Sequence, residues 1–235
     1  MISNSTSLDP NQISVPLPRL ATFIRQVTHD VRNSLNAMDL QASFVAELVT
    51  DAEAVEEVRR IRQGIQQSAR DLQALSGKFW TSKPNPIPYE ARILVEDFCD
   101  RMAKRESDFA TGVQWTVTLG DENIEIDIEM IFAAFAEIFF NAFQNREGSD
   151  PIQASASLEG GKFLLRVSET KVGVPSDPTF WGKEPFVSTR RGAYGLGLFR
   201  ARGIIAAHGG EYTVAHDPER ALLVTRVMLP LANSE

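Results

Sequence analysis

A histidine in a short polar run is the first candidate for chemistry in this chain. The run covers residues 29–35 and consists of His-Asp-Val-Arg-Asn-Ser-Leu. An imidazole can act as a nucleophile near neutral pH when a carboxylate orients its proton, and Asp30 follows His29 directly. Arg32 and Asn33 lie about one helical turn further, where they could contact phosphoryl oxygens or water. A lone exposed histidine is more often a solvated surface residue, so this run needs support from other motifs.

A polar pair on a strongly apolar segment is the second candidate. Glu137 and Asn141 are spaced to share one face of a helix, and Gln144 and Asn145 follow one turn beyond. Burying such groups without partners costs about 1–3 kcal/mol each, so partners are required. Carboxylate and amide oxygens suit Mg²⁺ and its waters at a nucleotide phosphate. An internal hydrogen bond would satisfy the same pattern.

A glycine-containing loop is the third candidate. Residues 184–198 include Thr189 and Arg190 and lead into Gly195, Leu196 and Gly197 at a predicted helix start. Glycine leaves the backbone N–H groups accessible, and the positive end of the helix dipole attracts anions. The loop is therefore suited to phosphate groups.

Two amphipathic helices precede the second and third motifs. Apolar residues recur every three or four positions over residues 17–50 and again over residues 51–79. A two-helix hairpin cannot cover its own apolar stripe, so we expect dimerisation into a four-helix bundle. Pro84, Pro86 and Pro88 follow and exclude a continuing helix, which predicts a linker.

The rest of the chain alternates helical and strand patterns, which predicts an α+β domain with a sheet and helices on one face. The predicted helices cover residues 88–107, 127–144 and 196–208, and the predicted strands cover residues 113–119, 152–158, 162–169, 211–215 and 222–229. The expected organisation is a flexible arm (1–16), a helical hairpin (17–80), a Pro-rich linker (81–88) and the α+β domain (89–235).

Composition excludes several classes of function. The net charge is −7, which argues against general binding to nucleic acid or anionic membranes. Cys99 is the single cysteine, so the chain forms neither an internal disulfide nor a site with several cysteine ligands. No apolar run has the length of about 20 residues that spans a bilayer. These features predict a cytoplasmic protein, and we expect no sensor domain before the hairpin.

In this order, the three motifs resemble those of the two-component sensor histidine kinases. Residues 29–35 are similar to the H box, residues 137–142 to the N box, and residues 184–198 to the F and G2 boxes. The resemblance covers nearly the whole chain after the arm. It implies a dimerisation and histidine-phosphotransfer hairpin followed by a Bergerat-type ATP-binding domain, which is an α/β sandwich.

The resemblance also implies roles for individual residues. His29 would accept the phosphoryl group with Asp30 as its base, and Asn33 would position water when the partner is dephosphorylated. ATP and Mg²⁺ would be the cofactors, with Asn141 coordinating Mg²⁺ and Glu137 nearby. The other implied cofactor-binding residues are Glu169, Gly173, Thr189, Arg190, Gly195, Leu196 and Gly197.

The chain departs from the family at two places. The family has Asp-x-Gly-x-Gly in the G1 box, whereas residues 169–175 are Glu-Thr-Lys-Val-Gly-Val-Pro. Glu169 is one methylene longer than aspartate, and Lys171, in place of glycine, could obstruct adenine or pair with Glu169. Ser34 replaces the usual proline after Asn33, which removes a helix kink.

Three functions remain open on the sequence alone. The first is a soluble histidine kinase that phosphorylates His29 from ATP and passes the phosphoryl group to an aspartate of a response-regulator receiver domain. The second is a dimeric histidine-phosphotransfer or adaptor protein that does not use ATP, which the altered G1 box motivates. The third is a non-catalytic scaffold, for which His29 would be dispensable.

Overall fold

Two long helices joined by a three-residue connection form the N-terminal part of the computed structural model, which describes residues 16–78, 83–188 and 194–232. Helix α1 spans Leu17–Leu48 and helix α2 spans Ala52–Lys78. Asp51 begins α2, because its carboxylate accepts a hydrogen bond from the Ala54 N–H at 2.9 Å. Arg62 of α2 donates to Asp39 of α1 at 3.0 Å, which links the two helices. The predicted hairpin is thus present.

The hairpin leaves a row of apolar side chains exposed. A pair of helices buries only part of each apolar stripe, and the remainder lies on the surface of this single chain. The exposed residues include Phe23, Val27, Val31, Met38 and Val45 of α1 and Val55 and Ile61 of α2.

The chain divides between residues 81 and 82 into two compact units, and the second contains a mixed sheet. Its helices are α3 (Ala91–Arg105), the single-turn α4 (Phe109–Gly112), α5 (Ile128–Asn145) and α6 (Gly197–Ala207), with a 3₁₀ turn at Pro178–Phe180. Its strands are β1 (Ile87–Glu90), β2 (Val113–Thr118), β3 (Asn123–Ile126), β4 (Ile152–Glu159), β5 (Lys162–Thr170), β6 (Glu211–Asp217) and β7 (Leu222–Pro230).

Five strands form the main sheet in the order β2-β4-β5-β7-β6. β2 and β4 are parallel, and the other neighbours are antiparallel. β1 and β3 form a separate antiparallel pair. The predicted α+β class, a helical hairpin followed by a mixed sheet with helices, is confirmed.

Helix α5 carries much of the core of this unit. The Asp127 carboxylate caps it by accepting from the Met130 N–H at 3.1 Å. Phe139 is fully buried, with ring centroids 5.3 Å from Phe98 and 5.4 Å from Trp115. His208, at the end of α6, donates from Nδ1 to the Ile204 carbonyl at 2.8 Å and accepts from the Asp127 N–H at Nε2 at 3.0 Å. That histidine therefore ties the end of α6 to the start of α5.

The structure corrects several predicted bounds. The helix predicted over 88–107 spans Ala91–Arg105, because Ile87–Glu90 pair with β3 instead. Strand β3, helix α4 and the 3₁₀ turn were not predicted. In the described ranges, no helix has the length and apolar character needed to cross a bilayer.

Replacing the central core aromatic tests the role of α5 in stability. Phe139→Ala should lower the free energy of unfolding by about 3–5 kcal/mol, since it leaves a cavity between α3, α5 and β2. Phe180→Ala is the matched control, because Phe180 is 64% exposed, and it should cost less than about 1 kcal/mol. Urea unfolding followed by tryptophan fluorescence measures both, and equal losses would contradict this account of the core.

Candidate functional site

His29 lies on the exposed side of α1, with 57% of its side chain accessible. Its Nδ1 is 3.2 Å from Asp30 Oδ1 and 3.3 Å from Asn33 Nδ2. In the described part of the chain, Nε2 has no hydrogen-bond partner. The helix therefore presents one imidazole nitrogen to its polar neighbours and leaves the other accessible.

The two contacts of Nδ1 require opposite tautomers. The contact with Asp30 needs a proton on Nδ1, which leaves the lone pair on Nε2. The contact with the Asn33 amide needs the lone pair on Nδ1, which puts the proton on Nε2. Only the first arrangement makes Nε2 a nucleophile, so Asp30 selects the reactive tautomer.

Asp30 is held ionised by its neighbours. The hydrogen bond with His29 lowers the pKa of the Asp30 carboxyl, and the hydrogen bond that Gln26 Nε2 donates at 3.0 Å lowers it further.

Ser34 donates from Oγ to the Asp30 carbonyl at 3.2 Å. The residue that departs from the H-box pattern is thus bonded to the backbone of α1.

Asn141 and Asn145 form a hydrogen-bonded pair on α5. Asn145 Nδ2 donates to Asn141 Oδ1 at 3.0 Å and to the Asn141 carbonyl at 2.7 Å. The internal hydrogen bond that the sequence allowed is therefore present. An amide oxygen has two lone pairs, so Asn141 Oδ1 keeps one for a further ligand.

Glu137 lies against the first turn of α6. A Cβ at Gly197 would meet Glu137 Oε2, so a larger residue there would require the Glu137 carboxylate to move. Arg200 Nη1 is 3.9 Å from Glu137 Oε1, and only 18% and 17% of these two side chains are exposed. Burial lowers the pKa of Arg200, and the charge of Glu137 opposes that effect. This ion pair was missed, because an arginine on α6 has no special spacing in sequence.

Gly195 joins the two ends of the loop before α6. Its φ is +64°, and an added Cβ would lie 2.5 Å from both N and O of Val187. The Phe186 N–H donates to the Gly195 carbonyl at 3.1 Å. The predicted residues Thr189 and Arg190 lie outside the described residues.

The start of α6 offers backbone N–H groups. Leu196 is buried and precedes the helix, and its apolar side chain makes no capping hydrogen bond to the first turn. Uncapped N–H groups at a helix start are suited to an anion. Gly195, Leu196 and Gly197 thus meet at one place, beside Glu137.

Glu169 is a buried carboxyl near the end of β5. Its residue is only 5% exposed, and Oε2 has no hydrogen-bond partner in the described ranges. Burial raises the pKa of Glu169 to about 8, with Lys171 lowering it and Glu147 raising it. An unpartnered buried carboxyl is costly, and a ligand would relieve that cost.

Lys171 pairs with Glu147 rather than with Glu169. Lys171 Nζ is 3.3 Å from Glu147 Oε1 and donates to the Asn145 carbonyl at 2.5 Å. Glu147 Oε2 also accepts from the Val172 N–H at 3.0 Å. Lys171 therefore connects the G1 segment to the end of α5. Glu147 was not singled out from sequence, although an acidic residue just beyond a polar helix end is a recognisable pattern.

The predicted residues thus fall into distinct groups. His29, Asp30 and Asn33 are together on α1, and Glu137, Asn141, Gly195, Leu196 and Gly197 lie around α5 and the start of α6. Lys171, two residues beyond Glu169, donates to the Asn145 carbonyl at the end of α5. A Cβ at Gly173 would meet nothing within 4 Å, so the structure shows no close backbone approach there.

The donor set can hold Mg²⁺ only together with a ligand. Among the described residues, no three His, Cys, Asp or Glu side chains cluster as metal ligands. Mg²⁺ is commonly bound by one or two protein oxygens plus phosphate oxygens and water. The free lone pair of Asn141 Oδ1 fits that requirement.

Curated relatives of the chain are sensor histidine kinases, although no family model matches it. The alginate biosynthesis sensor protein KinB of Pseudomonas aeruginosa is 22% identical, over 83% of this chain and 34% of its own length. An uncharacterized sensor-like histidine kinase of Rhizobium meliloti is 27% identical, over 82% of this chain and 39% of its own. The chain thus spans little more than a third of these relatives.

Solved structures of histidine kinases share the fold. Full-length ShkA, in complex with AMPPNP, matches with a TM-score of 0.69 and 20% identity over 91% of this chain and 46% of its own. The mycobacterial sensor histidine kinase MprB matches with a TM-score of 0.52 and 19% identity over 63% of this chain and 99% of its own. The resemblance to two-component sensor histidine kinases is therefore confirmed.

The Asp30 contacts predict a measurable titration. The carboxyl should titrate below its ordinary value of about 3.9, because its ionised form accepts hydrogen bonds from His29 and Gln26. His29→Ala should raise the Asp30 pKa, and Gln26→Ala should raise it less. Carboxyl-detected NMR over an acid titration measures all three, and an unchanged midpoint in His29→Ala would contradict the proposed pairing.

Gly195 and Gly148, which both have a positive φ, provide a matched test of the loop before α6. Gly195→Ala should lower the free energy of unfolding by about 2 kcal/mol or more, because left-handed alanine costs about 1 kcal/mol and its Cβ also meets the backbone of Val187. Gly148 has a φ of +82°, but a Cβ there would meet nothing within 4 Å. Gly148→Ala should therefore lower the free energy of unfolding by only about 1 kcal/mol. Equal losses in urea unfolding would contradict the close approach at Gly195.

Proposed function

We propose that this chain contains the catalytic core of a two-component histidine kinase, which transfers the γ-phosphoryl group of ATP to His29 and then to an aspartate of a response-regulator receiver domain. The observation that carries the proposal is the His29 Nδ1 contact with Asp30, which leaves Nε2 accessible. The relatives named above are sensor histidine kinases, in agreement with this chemistry.

The first step is an in-line displacement at phosphorus. The Nε2 lone pair of His29 attacks the γ-phosphorus, the bond to the bridging oxygen breaks, and ADP leaves with that electron pair. Asp30 keeps the proton on Nδ1 and stabilises the positive charge that develops on the ring. Catalysis then depends mainly on positioning and on neutralising phosphate charge.

The second unit supplies the nucleotide site in this proposal. Backbone N–H groups at Gly195, Leu196 and Gly197 bind phosphate oxygens at the start of α6. Asn141 Oδ1 holds Mg²⁺, which neutralises phosphate charge when it is bound. The unpartnered carboxyl group of Glu169 forms a hydrogen bond with the adenine base. The resemblance to the family adds Thr189, Arg190 and Gly173 to the site.

The hairpin is the surface for the partners in this proposal. Two copies would cover the exposed apolar stripe of α1 and α2 by forming a four-helix bundle. His29 remains exposed on α1, where a receiver aspartate could accept its phosphoryl group. The aspartyl oxygen then attacks the phosphorus and the Nε2–P bond breaks. When the receiver domain is instead dephosphorylated, Asn33 orients the attacking water.

One observation favours a second candidate function. Lys171 occupies the position of a G1-box glycine and its amine is fixed by Glu147 and Asn145. If this side chain blocks adenine, the protein is a dimeric phosphotransfer or adaptor protein that exchanges phosphoryl groups through His29 without ATP.

Incubation with γ-labelled ATP and Mg²⁺ tests the kinase function. The protein should acquire an acid-labile, base-stable label that is absent in His29→Ala, because Nε2 is the acceptor. Asn141→Ala should slow labelling about a hundredfold, as expected for losing about 3 kcal/mol of electrostatic stabilisation. Asn123→Ala, which removes an exposed amide on β3, is the matched control and should label normally.

The two functions differ in nucleotide binding. A folded protein with no label and no calorimetric binding of ADP would overturn the kinase proposal. If that protein still acquires label on His29 from a phosphorylated receiver domain, the phosphotransfer function is correct. If His29→Ala acquires the same label from ATP, another residue is the acceptor.

A further inference from the structure

Glu169 is a carboxyl that the folded chain buries without a hydrogen bond to Oε2. It lies on β5 in register with Leu223 of β7, and its residue is 5% exposed. No described residue donates to Oε2. A buried carboxylate normally accepts several N–H or O–H groups, because desolvation of its charge is otherwise too costly.

The neighbouring charges do not neutralise Glu169. The charge of Lys171 lowers the pKa of Glu169, but the Lys171 amine is 3.3 Å from Glu147 Oε1 and bonded to the Asn145 carbonyl. Glu147 adds a like charge, and the Lys171 carbonyl is bonded to His216 Nε2 at 2.8 Å. Tyr212 on β6 is buried, and burial together with Glu169 raises its pKa, so it stays a neutral phenol.

A neutral carboxylic acid has different binding chemistry from a carboxylate. It offers an O–H donor and a carbonyl acceptor side by side, whereas the ionised group offers acceptors only. The Watson–Crick edge of adenine has an acceptor at N1 beside the amino donor on C6. A neutral acid therefore matches both adenine groups, and a carboxylate matches only the amino group.

We propose that Glu169 binds adenine as a neutral carboxylic acid, with its O–H donating to N1 and its carbonyl accepting from the amino group. This inference rests on the proposed nucleotide-binding function and identifies the protonation state that recognises the base. The Lys171 amine is bound to Glu147 and so forms no ion pair with Glu169. The longer glutamate side chain therefore stays uncharged.

The proposal has a defined pH dependence. The pKa of free Glu169 is raised to about 8, so the neutral form predominates below that pH and is lost above it. Because only the neutral form makes both hydrogen bonds, ADP affinity should fall about tenfold between about pH 7 and about pH 9. Binding above the pKa must also take up a proton.

Calorimetric titration of the full chain with ADP and Mg²⁺ tests these expectations. Measurements in buffers of different ionisation enthalpy should show uptake of nearly one proton per ADP at about pH 9 and much less at about pH 7. Glu169→Gln keeps a donor and an acceptor without a charge, so it should bind ADP within about twofold of the unsubstituted protein at pH 7 and lose the pH dependence. Glu125→Gln, an exposed glutamate on β3, is the matched control and should retain it.

The outcomes separate this inference from the proposed function. ADP binding that is constant or tightens with pH, or a Glu169→Gln variant that binds at least tenfold more weakly at pH 7, would show that the ionised form binds and would overturn the inference alone. Failure of the unsubstituted protein to bind ADP at any pH would overturn both. Carboxyl-detected NMR of the nucleotide-free protein adds an independent readout, and a Glu169 midpoint at its ordinary value would also overturn the inference.

Discussion

Burial of one face of α5 is the interaction on which the second unit depends. Phe135, Ile138 and Phe139 of this helix are at most 2% exposed and lie among the aromatic side chains of α3 and the sheet. Burying side chains of this size contributes about 1.5–3 kcal/mol each. The same helix carries Glu137 and Asn141, and the 3.6-residue period places these polar groups at a fixed angle to the buried face. The core therefore fixes the position of the candidate site.

Close backbone approach is the second constraint, and it explains why glycine is required at particular positions. Gly197 lets Glu137 reach the first turn of α6, and Gly195 lets that chain segment touch the backbone of Val187. Gly182 has a φ of +72°, and a Cβ there would meet the Leu198 carbonyl. These contacts bring the loop, the start of α6 and the polar face of α5 together. A side chain at Gly195 or Gly182 would meet backbone atoms, whereas one at Gly197 would displace the flexible Glu137 carboxylate.

Periodicity predicts the long elements well and the short ones poorly. The two hairpin helices, α5, and strands β4, β5 and β7 each contain enough apolar repeats to be recognised from sequence. β1 and β3 have only four residues each and are stabilised by pairing with each other, which a local pattern does not reveal. For the same reason the pattern places a helix start at Pro88, although this residue lies in β1. Candidate residues follow from motif spacing, whereas the ion pairs of Glu137 with Arg200 and of Lys171 with Glu147 depend on distances between elements.

The altered G1 segment shows how two substitutions can have separate physical effects. A lysine two residues from a buried glutamate could form an ion pair with it, and that pair would keep the glutamate ionised. The structure instead places the amine of Lys171 against Glu147 and the Asn145 carbonyl, where it reinforces the end of α5. Asn145 in turn donates to Asn141. Lys171 thus supports the hydrogen-bonded pair of Asn145 and Asn141, while Glu169 keeps an oxygen with no hydrogen-bond partner among the described residues. The departure from the family pattern therefore changes how the G1 segment is held against α5 and keeps a carboxyl group at its first position.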